Sequence, residues 1–192
     1  MNPIFDLKGE HDAIQVVLSA MKKLSSDIRR NKQIDLFRIA QILEFLQTYI
    51  DHSHHDKEEE IFFPALTNCT TPGIADTIHL LMDEHIIARG YRKEIEIKLC
   101  DYVGGHANAL EGLASNMLSY IALEENHIRL ENQALLPVAE RFLNKTKLDC
   151  ISSEFKHIQN REIRQSKHLE YYLLLRKLYE ETSVTQVRKF AY

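Results

Sequence analysis

Apolar residues recur every three or four positions along most of the chain, which is the spacing of one face of an α-helix. Few turn-forming residues interrupt this pattern, since the 192 residues include only six glycines and four prolines. Five helices are predicted, over 5–30, 35–66, 74–102, 107–143 and 150–181. The predicted breaks are residues 31–33, 68–73, 104–105 and 144–147, with a loose tail from residue 182 onward.

The first two predicted helices each carry an apolar stripe that indicates a buried face. These stripes consist of Leu7, His11, Ile14 and Leu18, followed by Ile39, Leu43, Leu46 and Ile50. Four long helices with short links predict an all-α fold, an antiparallel up-down four-helix bundle. We expect this bundle over 1–145, with a C-terminal helical extension over 146–192 that packs on the bundle or forms a homodimer interface.

A weak internal repeat relates the second and fourth helices. The segments HHDKEEEIFFP (54–64) and HIRLENQALLP (127–137) each place a glutamate four residues after a histidine and a proline ten after it. Chance alone gives about one HxxxE pair in a chain of this composition, so one pair means little. Because the proline register is shared, the repeat favours His54 over its neighbour His55.

These pairs predict a metal site. Residues four apart lie on one helix face, so His54 and Glu58 can reach one point together, as can His127 and Glu131. Apolar residues continue both faces, and a buried histidine and carboxylate are costly unless a partner such as a metal ion satisfies them. Helices one and three should supply the remaining ligands. The predicted ligand set is His11, His54, Glu58, His85, His127 and Glu131.

Other interpretations of these residues stay open. The HxxxE pairs could be surface ion pairs, and His11 and His85 could be hydrogen-bonded core histidines. Glu124-x-x-His127 and Asp51-x-x-His54 also fit a ferritin-like ExxH pattern, although further glutamates in a matching register are missing. The remaining histidines are predicted to be ordinary surface residues, namely His52, His55, His79, His106, His157 and His168.

Composition and charge exclude several other classes of protein. The net charge is −4, and no basic block suggests nucleic-acid binding. No uncharged apolar stretch of about 18 residues exists, so no membrane span is predicted. The N-terminus does not resemble a signal peptide. Since the three cysteines, Cys69, Cys100 and Cys150, form no CxxC pair, we expect free thiols in a reducing cytoplasm.

The segments GEHD, HHDKEEEIFFP, MDEHIIAR and HIRLENQALLP resemble the hemerythrin-like HHE cation-binding family over about residues 5–145. The resemblance implies two iron ions with an oxo or hydroxo bridge, bridging glutamates and terminal histidines. Mixed imidazole and carboxylate ligands independently suit iron, with manganese or zinc as alternatives. Two departures from the oxygen carriers argue against reversible oxygen carriage. Arg89 replaces a second third-helix histidine, and Asn132 replaces an aspartate.

A count of ligand atoms indicates a reactive centre. Four imidazoles and two bridging carboxylates give about eight donor atoms, while two octahedral ions need about twelve. The oxo or hydroxo bridge fills one position on each ion, which leaves roughly two positions open. We therefore expect a small oxidant ligand (O2, peroxide or NO) and an unidentified redox partner. A catalase- or peroxidase-like enzyme is one candidate. A non-catalytic O2, NO or iron sensor, an iron store or an iron–sulfur repair protein is the alternative, although no cysteine-bearing N-terminal repair domain is expected.

Tyr120 is the one residue predicted to contact the bound ligand. It lies seven positions before His127 and therefore on the same helix face. Its hydroxyl group could donate a hydrogen bond to an oxygen species or bind iron, although a place in the ordinary core is the simpler interpretation.

Overall fold

The computed structural model describes residues 2–31, 34–67, 72–162 and 165–182, and all regular structure within these ranges is helical. Within these described ranges six helices follow one another: α1 (Pro3–Asn31), α2 (36–66), α3 (Ile74–Val103), α4 (109–142), α5 (Lys145–Glu162) and α6 (Gln165–Thr182). The first four predicted helices are confirmed to within two residues at each end. No helix among the described residues is long and apolar enough to cross a bilayer.

Helices α2 and α4 contain π-helical turns at their HxxxE segments. In α2 these turns cover Leu46–His54 and Glu58–Phe62, and in α4 one covers Glu131–Leu135. Pro64 and Pro137 follow the turns that begin at Glu58 and Glu131. A proline lacks an N–H and clashes with the carbonyl four residues earlier, and a widened turn relieves that clash. The proline shared by the repeat therefore accounts for the widened turn at each glutamate.

Two apolar clusters pack on either side of a polar layer that crosses the interior. On α1, Leu7 belongs to one cluster and Ile14 to the other, with the buried His11 between them. On α3, Leu81 and Ala88 flank His85 in the same way. The predicted stripe on α1 is confirmed, because all four of its residues are buried. The polar layer is therefore enclosed by hydrophobic packing above and below.

The prediction that the C-terminal helix begins at residue 150 was wrong. The chain becomes helical at Lys145, inside the predicted linker, because the Asn144 side chain accepts a hydrogen bond of 2.9 Å from the Lys147 backbone N–H and caps α5. The predicted continuity of this helix to residue 181 falls on residues 163–164, which lie outside the described residues, and α6 begins after them. The apolar face of α5, including Phe155, joins the cluster around Leu7, while that of α6 joins the cluster around Ile14.

Several predictions fall on parts of the chain that the structure does not describe. Residues 32–33, 68–71 and 183–192 are outside the described ranges, and with them Cys69 and most of the predicted tail. The two described cysteines, Cys100 and Cys150, are exposed free thiols.

Candidate metal centre

The six predicted ligands lie together in the polar layer, and each is at most 2% exposed. On the α1 side, His11 Nε2 lies 2.9 Å from Glu131 Oε2 and 3.9 Å from Glu58 Oε1. His54 Nε2 lies 3.5 Å from the same Glu58 Oε1. Ligand atoms of these four residues lie within 4.8 Å of one another, and we name this group position A. The interpretation of the pairs as surface ion pairs is therefore wrong.

A second group shares Glu58 and faces α3 and α4. His85 Nε2 lies 3.5 Å from Glu58 Oε2, and His127 Nε2 lies 3.7 Å from Glu131 Oε1. The group in which all ligand atoms fall within 4.8 Å comprises His55, Glu58, His85 and His127, and we name it position B. Glu58 belongs to both positions, and the two oxygens of Glu131 point to histidines of both. Two adjacent positions with shared carboxylates follow from this arrangement.

The prediction that His55 is a surface histidine was wrong. Its side chain is 0% exposed, and its ring stacks on that of His85 with centroids 3.8 Å apart. The shared proline register favoured His54. Because neighbouring residues of a regular α-helix point about 100° apart, His55 was expected to face away from the centre. In the structure α2 faces both positions, so that His54 points to position A and His55 to position B. The other predicted surface histidines are exposed, except for the partly buried His168.

Each of the four predicted histidine ligands has a polar partner at the ring nitrogen that faces away from the centre. His54 Nδ1 lies 2.9 Å from Glu10 Oε2, and His85 Nδ1 lies 2.7 Å from Glu59 Oε1. The other two contacts are His11 Nδ1 to Asn132 Oδ1 at 3.1 Å and His127 Nδ1 to Glu84 Oε2 at 3.0 Å. A proton held on Nδ1 leaves the Nε2 lone pair free, which is the tautomer and orientation that metal-binding histidines need.

Most of the atoms that face the centre lack hydrogen-bond partners, and this tests whether a metal ion fits there. The Nε2 atoms of His11, His54 and His55 have no hydrogen-bond partner among the described residues, nor do the four carboxylate oxygens of Glu58 and Glu131. His11 Nε2 and Glu131 Oε2 lie 2.9 Å apart as a charge contact and are not joined by a hydrogen bond. Buried polar atoms without partners are costly, and a cation bound by several of them removes that cost.

The separation of two histidine nitrogens also fits a shared ion. His85 Nε2 and His127 Nε2 lie 3.1 Å apart, although both are lone-pair acceptors once their Nδ1 atoms hold protons. Two nitrogens that bind one ion at about 2.1 Å and at right angles lie about 3.0 Å apart. Imidazole and carboxylate donors suit iron, manganese or zinc. The residues of the centre therefore fit a pair of metal ions.

Burial and neighbouring charges shift the pKa values of several side chains in the centre. Burial, together with the neighbouring Glu131, raises the pKa of Glu58 well above its ordinary value. Burial opposes charge on His127, but the carboxylates of Glu131 and Glu84 outweigh it and raise the pKa of His127 to about 9. Burial also lowers the pKa of His54 to about 4. At neutral pH the metal-free centre therefore holds a proton on His127, whereas His54 is neutral and ready to bind an ion.

Tyr120 lies in a buried polar group beyond the two positions. It is 0% exposed, and its hydroxyl has no hydrogen-bond partner among the described residues. Burial and the nearby Glu124 raise its pKa well above the ordinary value. Burial likewise raises the pKa of Glu124 to about 7, and Asp51 accepts a hydrogen bond of 2.6 Å from Arg92. Contact between Tyr120 and a bound ligand stays a prediction.

The two acidic residues of the ferritin-like alternative do not join the centre. Asp51 and Glu124 are buried, but neither belongs to position A or position B. A helical fold with a buried cluster of five histidines and two glutamates defines a metal-binding protein. The family model of the hemerythrin HHE cation-binding domain matches residues 2–139, and the chain belongs to that family. Comparison with curated proteins and with solved structures found no significant match.

Binding of metal ions is expected to release protons and to strengthen as the pH rises. In the metal-free protein His127 is protonated below about pH 9 and must lose a proton before it binds an ion, and the raised pKa of Glu58 acts in the same direction. Titration calorimetry in buffers with different ionisation enthalpies should show release of at least about one proton for each pair of ions. A heat that does not depend on the buffer at neutral pH would contradict this assignment.

Replacement of His55 by alanine is expected to weaken metal binding as much as replacement of His54. Loss of a hydrogen-bond partner of a ligand typically lowers metal affinity by about 10-fold to 100-fold. Loss of an imidazole that binds the ion directly should lower the affinity at one position by at least that much. His52→Ala is the matched control, because His52 lies on the same helix and is exposed. Equilibrium dialysis measures the effect. Wild-type affinity in His55→Ala would exclude His55 from the centre.

Proposed function

We propose that the chain is a non-haem di-iron protein that binds or reduces a small oxidant such as O2, peroxide or NO. In this proposal α1 to α4 form an antiparallel bundle around positions A and B, and Glu58 and Glu131 link the two ions. Family membership and the buried histidine–glutamate cluster support metal binding, and the donor types support iron. The exposed free thiols of Cys100 and Cys150 support our proposal of a reducing, cytoplasmic location.

The observation that carries the proposal is the unequal number of ligands at the two positions. Position B offers three imidazoles, while position A offers two, and both have access to Glu58 and Glu131. With His55 included, the centre has about nine donors, and an oxo or hydroxo bridge leaves about one of twelve places open. That place is at position A. An open place is what allows a metal centre to bind and transform a small molecule.

His55 changes the comparison with oxygen carriers. Arg89 stands where those proteins have a further histidine, which led us to expect a centre with about two open places. His55 supplies a third imidazole to the same side, and Arg89 instead donates a hydrogen bond of 2.6 Å to Glu59, the partner of His85. We therefore propose one open place rather than two.

Bound iron would supply one-electron chemistry, and the chain's own residues would position the reactants. Glu10, Asn132, Glu59 and Glu84 hold the histidine rings in place through their Nδ1 atoms. The apolar clusters on both sides exclude bulk water from the centre. A small, uncharged oxidant can enter such an environment at a lower desolvation cost than a charged substrate.

Turnover is tested by oxygen evolution from hydrogen peroxide with iron-loaded protein. A catalase-like protein converts two peroxide molecules into two waters and one O2. We expect oxygen evolution from the wild type and its loss in Glu131→Ala, while Glu140→Ala on the exposed part of the same helix stays active. Spectral changes with O2 or NO, without turnover of peroxide, would favour a binding protein over an enzyme. No response to any of the three oxidants would contradict the proposal.

A further inference from the structure

The two metal positions differ in the charge of the groups that support their histidines. A carboxylate that accepts the Nδ1 proton makes an imidazole a stronger metal ligand, whereas an amide or a neutralised carboxylate does so less. Loss of such a partner typically costs 10-fold to 100-fold in metal affinity. The partners on the two sides of this centre are not of the same kind.

Position B is supported by a carboxylate without a cationic partner. His127 Nδ1 lies 3.0 Å from Glu84, and no lysine or arginine among the described residues lies within ion-pair distance of that carboxylate. His85 Nδ1 lies 2.7 Å from Glu59, which also accepts a hydrogen bond of 2.6 Å from Arg89. Position B also has the additional imidazole of His55. Its surroundings therefore favour a tightly bound cation.

Position A is supported by groups with no net charge. Glu10, the partner of His54, forms an ion pair with Lys57, which is only 2% exposed. The Lys57 ammonium also lies 5.8 Å from the centre of the Phe155 ring on α5, so the C-terminal extension helps to enclose it. The partner of His11 is the neutral amide oxygen of Asn132, at 3.1 Å. Lys57 neutralises the charge of Glu10, and the Asn132 amide is uncharged. Position A therefore lacks the unpaired negative charge that Glu84 supplies to position B.

We propose that positions A and B bind metal ions with different affinities, that position B is filled first, and that position A exchanges its ion. Lys57 and Asn132 are the positioning residues that keep position A weak, acting through His54 and His11. This inference rests on the proposed metal centre. The ion at position B stays bound, while the ion at position A, next to the open coordination place, exchanges.

Anaerobic titration of the metal-free full-length chain with Fe(II), followed by equilibrium dialysis, tests the inference. We expect two steps of one ion each, with affinities at least about tenfold apart. Asn132→Asp replaces the amide by a nearly isosteric carboxylate and should tighten the weaker step by about tenfold or more, which brings the steps together. Asn126→Asp is the matched control, because it adds the same charge at an exposed site on α4 and should leave both steps unchanged.

Variants of the two positions identify which step belongs to which position. His11→Ala should remove the weaker step alone, and Glu84→Gln should weaken the tighter step by about 10-fold to 100-fold. Circular dichroism checks that each variant is folded. Two steps of equal affinity in the wild type, or loss of the tighter step in His11→Ala, would overturn the inference and leave the metal centre intact. A folded wild type that binds no Fe(II) would instead refute the proposed function.

Discussion

Replacement of Glu58 by alanine is expected to reduce bound iron from about two ions per chain to less than one. Glu58 is the residue common to both metal positions, with Oε1 3.5 Å from His54 Nε2 and Oε2 3.5 Å from His85 Nε2. Its removal deletes a ligand from each position and leaves Glu131, whose two oxygens face His11 and His127. Iron content of the purified, reconstituted protein measures the effect.

The control for this experiment lies two residues further along the same helix. Glu60→Ala removes an exposed carboxylate whose side chain is 3.3 Å from Arg161 at the surface, so iron content should be unchanged. Retention of two ions in Glu58→Ala would show that Glu58 does not bridge the positions. Equal loss of iron in both variants would point to misfolding or to a general charge effect.

Removal of iron by a chelator is expected to lower the melting temperature substantially. An ion present at a thousand times its dissociation constant stabilises the folded state by about 4 kcal/mol. For a chain of this size each kcal/mol corresponds to about 2–4 °C, so loss of one such ion should lower Tm by about 8–16 °C. The metal-free protein must keep the adjacent acidic side chains of Glu58 and Glu131 buried, with a protonated His127 as the nearby cation in place of the metal ions.

Differential scanning calorimetry of matched iron-loaded and chelated samples measures this difference. Re-addition of iron should restore the higher melting temperature, while Glu58→Ala should melt at nearly the same temperature with and without chelator. An unchanged Tm in wild-type protein that is verified to be free of iron would show that the buried cluster is stable without metal. Its assignment as a metal centre would then be wrong.

The extents of the first four helices could be predicted because their apolar periodicity is long and their breaks are clear. Proline, glycine and short polar segments mark each break, and these are the strongest local signals in a sequence. The start of α5 could not be predicted from periodicity, because the segment near Lys145 is polar. Its signal was the capping residue Asn144, whose side chain binds the backbone N–H three residues later.

Four candidate ligands, at positions 54, 58, 127 and 131, could be located from the repeat because spacing and register coincide in two segments, and His11 and His85 from the apolar helix faces on which they lie. His55 was missed because neighbouring residues of an ideal helix point in different directions, so that only one of them can face a single metal position. Where two metal positions lie side by side, both neighbours can face one. A helix that lies against both positions can direct His54 to one and His55 to the other, and the widened turns of α2 accompany this arrangement.

The supporting residues could not be predicted from the sequence at all. Glu10, Glu59 and Glu84 are neighbours of ligands in the chain, but acidic residues beside histidines are common on solvated helix faces. Only the packing of α1 against α2, and of α3 against α2 and α4, shows which carboxylate reaches which imidazole. The buried pair of Lys57 and Glu10 depends in addition on α5, which covers it with Phe155.

Metal content per chain, together with an absorption spectrum, tests the central claim most directly. Protein reconstituted anaerobically with Fe(II), then oxidised and freed of excess metal, should contain about two iron ions per chain. It should also show the near-ultraviolet absorption of a bridged ferric pair. A folded protein that retains no iron after reconstitution would contradict the claim that the buried histidines and glutamates form a di-iron centre.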